Sequence, residues 1–216
     1  MLHRTHHYDL ENIEASPLVF SSFELRNINP YTLLFQTGYI TLKSVKTHQK
    51  YILNYPNQEV RDSLLQYLLA DYSHQYSSDP YIRTLQMKEA LDAGSVEDFV
   101  EALNSLFASI PFEIFIADRE AYYHAVTYLA LSLMRSFIRA EVSQSKGKPD
   151  AVVFTDTTIY VMEFKMDDSA EAAMKQIREK AYVKPYLKLG KPVKAVGIHF
   201  NSGQKAIDAW LEENIG

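Results

Sequence analysis

The sequence predicts an α/β domain, a mixed central sheet flanked by helices, with a small helical and hairpin region ahead of it. Three observations carry that expectation. The chain has 216 residues, the size of one ordinary domain or one and a half, since domains run about 100 to 200 residues. Its hydrophobic content of 47% and charged content of 23% match a packed globular protein and argue against disorder or a coiled coil. Its apolar pattern changes along the chain, from helical stripes between residues 58 and 134 to short strand-like runs between residues 137 and 200.

The first 56 residues read as extended and loop-rich. They hold one hairpin, Tyr39–Lys43 with Tyr51–Asn54, because both arms alternate apolar with polar, and the polar run Ser44–Lys50 joins them. Pro56 stops the strand and Asn57 offers a cap for a helix from Gln58 to about Tyr72, with Val60, Leu64, Leu65, Leu68 and Leu69 on one stripe. The polar segment 73–80 marks a domain division. Helices follow at 81–92 and 96–108, separated by Gly94 and capped by Ser95. A helix from Asp118 to Met134 has almost no polar face, so it is read as buried on most sides. Strands at 137–142, 151–155 and 158–165, a helix from Ser169 to Tyr182 opened by an Asp168/Glu171 capping box, and a last strand at 193–200 complete an αβββαβ order.

The absence of cysteine excludes disulfides, thiolate metal sites and cysteine nucleophiles. There is no signal-peptide core, and no run reaches the roughly 18 apolar residues of a membrane span. The expectation is therefore a cytoplasmic protein without membrane contact. The net charge of −5 argues at first against nucleic acid as a partner. It is unevenly spread: residues 1–134 carry −7, residues 135–194 carry +4 and residues 195–216 carry −2. The basic stretch is where the chemistry-bearing residues gather.

Those residues are Asp150, at the start of one strand, and Glu163 and Lys165, near the end of the next. A turn centred on Asp156 and Thr157 pairs Thr155 with Thr158 and therefore Asp150 with Glu163. Directly opposed residues have β-carbons about 4.5 to 5.5 Å apart, a spacing at which two carboxylates can share a divalent cation. The strand period of two places Lys165 on the face of Glu163. Val152, Phe154, Ile159 and Val161 fill the rest of that face, and Val153, Tyr160, Met162 and Phe164 the other. Charges at the end of such doubly apolar strands are costly unless paired or metal-bound. The plainer alternative is a surface ion pair between Glu163 and Lys165, with Asp150 opening a turn after Pro149.

Pro149-Asp150 followed by Glu163-Phe164-Lys165 resembles the motif of the PD-(D/E)XK nuclease superfamily, and the order of elements from about residue 110 to 200 is similar. The likeness extends to a bacterial branch in which the nuclease-like domain follows an AAA-ATPase-like domain. The segments that carry it are Leu33–Tyr39, Pro56–Arg61, Arg119–His124 and Glu141–Asp150. The resemblance implies a restriction-endonuclease-like core at 76–216, with 1–75 the remnant of the C-terminal part of an AAA-ATPase-like region. It also implies Mg²⁺ or Mn²⁺ held by Asp150, Glu163 and the main-chain carbonyl of Phe164. Lys165 would assist the attacking water.

In other members a helix before the sheet adds a carboxylate. Glu120 stands at that place, with Glu141 a second candidate and solvated acids the alternative. His124 is read as a hydrogen-bonded core histidine, because hard Mg²⁺ prefers oxygen. Gln176 and Tyr182 resemble a Gln-and-Tyr element that supports the site or contacts nucleic acid, although their separation of six is longer than the better-known version. Lys148, Lys175, Arg178 and the lysines at 180, 184, 188 and 191 suit phosphate contacts or a solvated face. No phosphate loop for ATP is present, since Pro149 stands where Ser or Thr would follow Lys148.

The function expected is a metal-dependent nuclease acting on nucleic acid, DNA ahead of RNA, with a protein partner or homo-oligomer left open. The rival is a catalytically silent module that keeps the nuclease fold for binding nucleic acid or protein.

Overall fold

The computed structural model describes residues 10–21, 29–47, 49–73, 80–108, 119–135, 139–142 and 147–215. It divides into two compact units, the first ending at Leu68 and the second starting at Leu69. The division falls inside helix α2 (Gln58–Ser73). Residues 74–79 of the polar segment read as a boundary lie outside the described residues.

In the first unit, β1 (Ile13–Ala15), β2 (Thr41–Thr47) and β3 (Lys50–Asn54) form an antiparallel sheet in the order β1-β3-β2. The hairpin is present, but β2 runs on to Thr47 where a polar connection was expected from Ser44. Charged and polar side chains are tolerated there because β2 is an edge strand. Helix α1 (Pro30–Gln36) lies within the stretch read as loop. Its start is encoded by Asn29, whose side chain accepts from the Tyr31 amide, and by Pro30 in the first turn. Asn57 caps α2 as expected, accepting from the Val60 amide at 2.9 Å.

The second unit runs α3 (Pro80–Asp92), α4 (Val96–Phe107), α5 (Arg119–Met134), β4 (Arg139–Val142), β5 (Ala151–Phe154), β6 (Ile159–Met166), α6 (Ala170–Glu179), β7 (Val193–Asn201) and β8 (Ala206–Ile215). The sheet order is β4-β5-β6-β7-β8, with β6 and β7 parallel and every other pair antiparallel. The parallel pair follows from α6, since parallel neighbours need a crossover. The mixed sheet flanked by helices is as expected, and β8 adds a strand beyond the αβββαβ order.

Both faces of the sheet are covered. On one, Val152, Ile159, Val161, Val193 and Ala195 pack against Met174 and Ile177 of α6, and Tyr182. On the other, Tyr160 donates its hydroxyl to the Leu91 carbonyl of α3 at 2.7 Å, and Phe107, Tyr123 and Phe200 stack together. Each such side chain contributes about 1.5–3 kcal/mol on burial.

Two boundaries of α6 differ from expectation. The cap is Ser169, whose hydroxyl accepts from the Ala172 amide, one residue later than the Asp168 reading. The helix ends at Glu179, and Ala181 has φ of 50°, so Tyr182 lies in the turn beyond it. Among the described residues no helix is long and apolar enough to cross a membrane.

Candidate active site

The register of the β5–β6 hairpin fixes the site. Ala151 pairs with Met162 and Val152 with Val161, so the next pair outward is Asp150 with Glu163. The turn lacks an Asn-Gly pair, yet stays tight because Thr155 closes it. The Thr155 amide donates to the Thr158 carbonyl at 2.9 Å, and its hydroxyl oxygen accepts from the Thr158 amide at 2.9 Å. Asp150 is then pinned beside Glu163, because its Oδ2 accepts from the Phe164 amide at 2.9 Å.

Glu163 is 2% exposed. Its Oε1 accepts from the Gln176 side-chain amide and from Lys165 Nζ at 3.3 Å. Lys165, with 26% of its side chain exposed, also donates to Gln176 Oε1 at 2.6 Å. Gln176 Nε2 lies 3.5 Å from the Tyr182 hydroxyl as a donor. Gln176 therefore ties α6 to both charges of β6. Glu163 Oε2 is buried and has no hydrogen-bond partner among the described residues. An ionised oxygen in that state is costly.

The electrostatics agree with that cost. Burial pushes the Glu163 carboxyl up to about 7, the negative charge of Asp150 adds to the rise, and Lys165 opposes it. Burial also raises the Asp150 carboxyl above its ordinary range, against the Phe164 amide and the charges of His124 and Lys165. Two carboxyls that resist ionisation side by side form a place where a divalent cation would be favourable. The donors fit such an ion: hard oxygens, one of them without a partner. Among the described residues no group of three or more His, Asp or Glu side chains comes together. A cation here would rest on Asp150, Glu163 and the Phe164 carbonyl.

The other expected residues divide. Glu120 lies in the first turn of α5 and Glu141 in β4, and the side chains of both fall outside the described residues. His124 is exposed and acts on Asp150 through its charge, which corrects its reading as a core histidine. Tyr182 is 6% exposed with its ring in the core and its hydroxyl 3.5 Å from Gln176 Nε2. On the exposed face of α6 Arg178 pairs with Glu213 at 2.6 Å and Lys175 with Glu179 at 3.8 Å, Lys191 donates to the Thr155 carbonyl at 2.7 Å, and Lys148 is exposed. Sequence reasoning missed Gly197, which pairs with Glu163 on β7. A Cβ there would meet the Ala170 carbonyl oxygen at 2.6 Å, so glycine allows α6 to approach and bring Gln176 within reach.

Fold and site thus define an α/β domain in which a central hairpin presents two adjoining carboxyls and a lysine. Residues 118–210 match the family model of the PD-(D/E)XK nuclease superfamily, and the mixed sheet with flanking helices is consistent with that nuclease fold. The chain is also similar to a protein of Azotobacter chroococcum mcd 1 described as "Uncharacterized protein in vnfD 5'region", with 30% identity over 96% of this chain. It spans 42% of the length of that relative. No solved structure matches the chain at a significant level.

Proposed function

We propose that the second unit is a divalent-metal-dependent nuclease that hydrolyses phosphodiester bonds of nucleic acid, with DNA the first substrate to test. The observation that carries this reading is the buried Glu163 Oε2, without a partner among the described residues, beside Asp150 and Lys165. Asp150, Glu163 and the Phe164 carbonyl would hold Mg²⁺ or Mn²⁺. Once bound, the ion supplies a polarised phosphoryl oxygen and a water acidic enough to be hydroxide near neutral pH.

The chain's own residues do the positioning. Gln176 holds Glu163 Oε1, so Oε2 is the oxygen that would hold the ion, and it holds the Lys165 ammonium beside the same carboxylate. That ammonium places a fixed positive charge where negative charge develops at phosphorus. The +4 carried by residues 135–194 favours a polyanionic substrate. The first unit is read as a remnant of an AAA-ATPase-like neighbour, and the greater length of the relative leaves room for a longer architecture.

The test is cleavage of single-stranded, duplex and branched DNA and RNA by the full chain with Mg²⁺ or Mn²⁺. The reading requires cleavage that a Lys165→Ala control lacks. Binding without cleavage in both proteins would favour the silent module instead.

A further inference from the structure

A second polar cluster sits on the same sheet face, one strand over from Lys165. His199 is the parallel partner of Lys165 in the β6–β7 register, and adjacent strands lie about 4.8 Å apart. His199 Nδ1 is 2.7 Å from Asp208 Oδ1, and Asn201 donates to Asp208 Oδ2 at 2.8 Å. Asp208 comes from a β-bulge. His199 pairs with Ala209 and Phe200 with Ile207, so Asp208 is the extra residue of β8. Regular alternation would send Asp208 to the opposite face from Ala209, and the bulge turns it onto His199 instead. Bulges of this kind re-aim side chains near active sites.

The consequence is a defined tautomer. Hydrogen bonds from Asn201 and then from His199 hold the Asp208 carboxyl below its usual range, so it accepts and His199 Nδ1 carries the proton. In the neutral ring Nε2 is then the lone-pair acceptor, and among the described residues no group donates to it. The side chain keeps 15% of its surface exposed, while Nε2 itself is buried and, like Glu163 Oε2, unsatisfied.

We infer that His199, oriented by Asp208, is a further catalytic residue that accepts the proton of the attacking water. The inference rests on the nuclease reading above. As the water oxygen bonds to phosphorus, its proton passes to Nε2. The bond from phosphorus to the leaving sugar oxygen breaks with its electron pair, and that oxygen is protonated from solvent. The imidazolium formed is stabilised by Asp208.

The deciding experiment is chemical rescue. His199→Ala should lower kcat about 10²-fold or more, as loss of a general base does, with free imidazole in the buffer restoring cleavage in proportion to its concentration. Asp208→Asn should lower kcat without raising KM. If His199→Ala fails to fold, His199→Gln and nitrogen NMR of the metal-free wild type decide the matter, with the imidazole proton expected on Nδ1. Wild-type activity in His199→Ala or His199→Gln, loss that imidazole does not restore in a protein of wild-type melting temperature, or a proton on Nε2 would each overturn the inference. An inactive wild type would instead remove the nuclease reading beneath it.

Discussion

Two shielded clusters of charge, one in each unit, are built on opposite principles. In the first unit Arg61, with 11% of its side chain exposed, donates to Glu11 at 3.2 Å and to Asp62 at 2.8 Å. There both carboxylates bond the one guanidinium directly. The charge count is the same in the second unit, two carboxyls to one lysine, but Glu163 keeps a buried oxygen with no partner among the described residues. A directly bonded cluster joins strands and helices, and breaking one typically costs several kcal/mol. A cluster with an unsatisfied oxygen costs stability as it stands, which makes sense if something outside the chain completes it. The difference teaches where to look for function: at the carboxyl pushed up to about 7.

The comparison makes its largest prediction at Glu163. Glu163→Gln should reduce cleavage at least about 10²- to 10³-fold, the scale for losing one preorganised electrostatic contact, yet raise the melting temperature in metal-free buffer above pH 7. Arg61→Ala should do the reverse, losing on the order of 2 kcal/mol of stability while cleavage per folded molecule stays at the wild-type rate. If both variants lose stability alike, the contrast between the clusters is gone.

The pH dependence follows with its sign. The Glu163 carboxyl stands at about 7 in the folded protein against an ordinary 4.5, so the folded state keeps a proton that the unfolded state has lost. Stability from this group is therefore present below about 4.5 and declines as pH rises to about 7, by on the order of 3 kcal/mol in total. Thermal melts across that window should show the decline in wild type and a flatter profile in Glu163→Gln. An equal slope in both would assign the effect elsewhere.

Gly197→Ala tests the helix that closes the site. Its new Cβ would meet Ala170 O at 2.6 Å and Met174 N at 2.8 Å, backbone atoms that cannot turn aside. Displacing α6 should cost about 1–3 kcal/mol and lower activity by drawing Gln176 away from Glu163. The smallest effect is expected of Tyr182→Phe, which removes one 3.5 Å contact to Gln176 and keeps the ring in the core. Its melting temperature should stay within about a degree or two of wild type, since a net hydrogen bond is worth about 1 kcal/mol at most contacts. A large loss would mean that Tyr182 holds more than Gln176.

The site was more legible in the sequence than the fold around it. A period of two and a turn at Asp156-Thr157 suffice to set Asp150 against Glu163 and Lys165 on one face, because register in a doubly buried hairpin has little freedom. What held that turn was the Thr155 side chain, which a search for Asn-Gly does not weigh. Strand β8 escaped because an edge strand with Asp208, Glu212 and Glu213 has little hydrophobic alternation. With β8 unseen, its bulge and the His199–Asp208 contact were invisible too. Helix α1 escaped because seven residues are too few for a period, and only the Asn29-Pro30 pair announces it. Tyr182 was read as part of α6, but the chain leaves the helix after Glu179 and turns at Ala181, where no glycine or proline marks the end.

The central claim is that the Asp150–Glu163 carboxyl pair is a cation site, and calorimetric titration of the metal-free full chain with Mn²⁺ tests it most directly. The account predicts one equivalent bound at the second unit, abolished by Asp150→Asn and by Glu163→Gln in proteins that still melt cooperatively. Absence of binding in wild type, or binding that neither substitution changes, would contradict it.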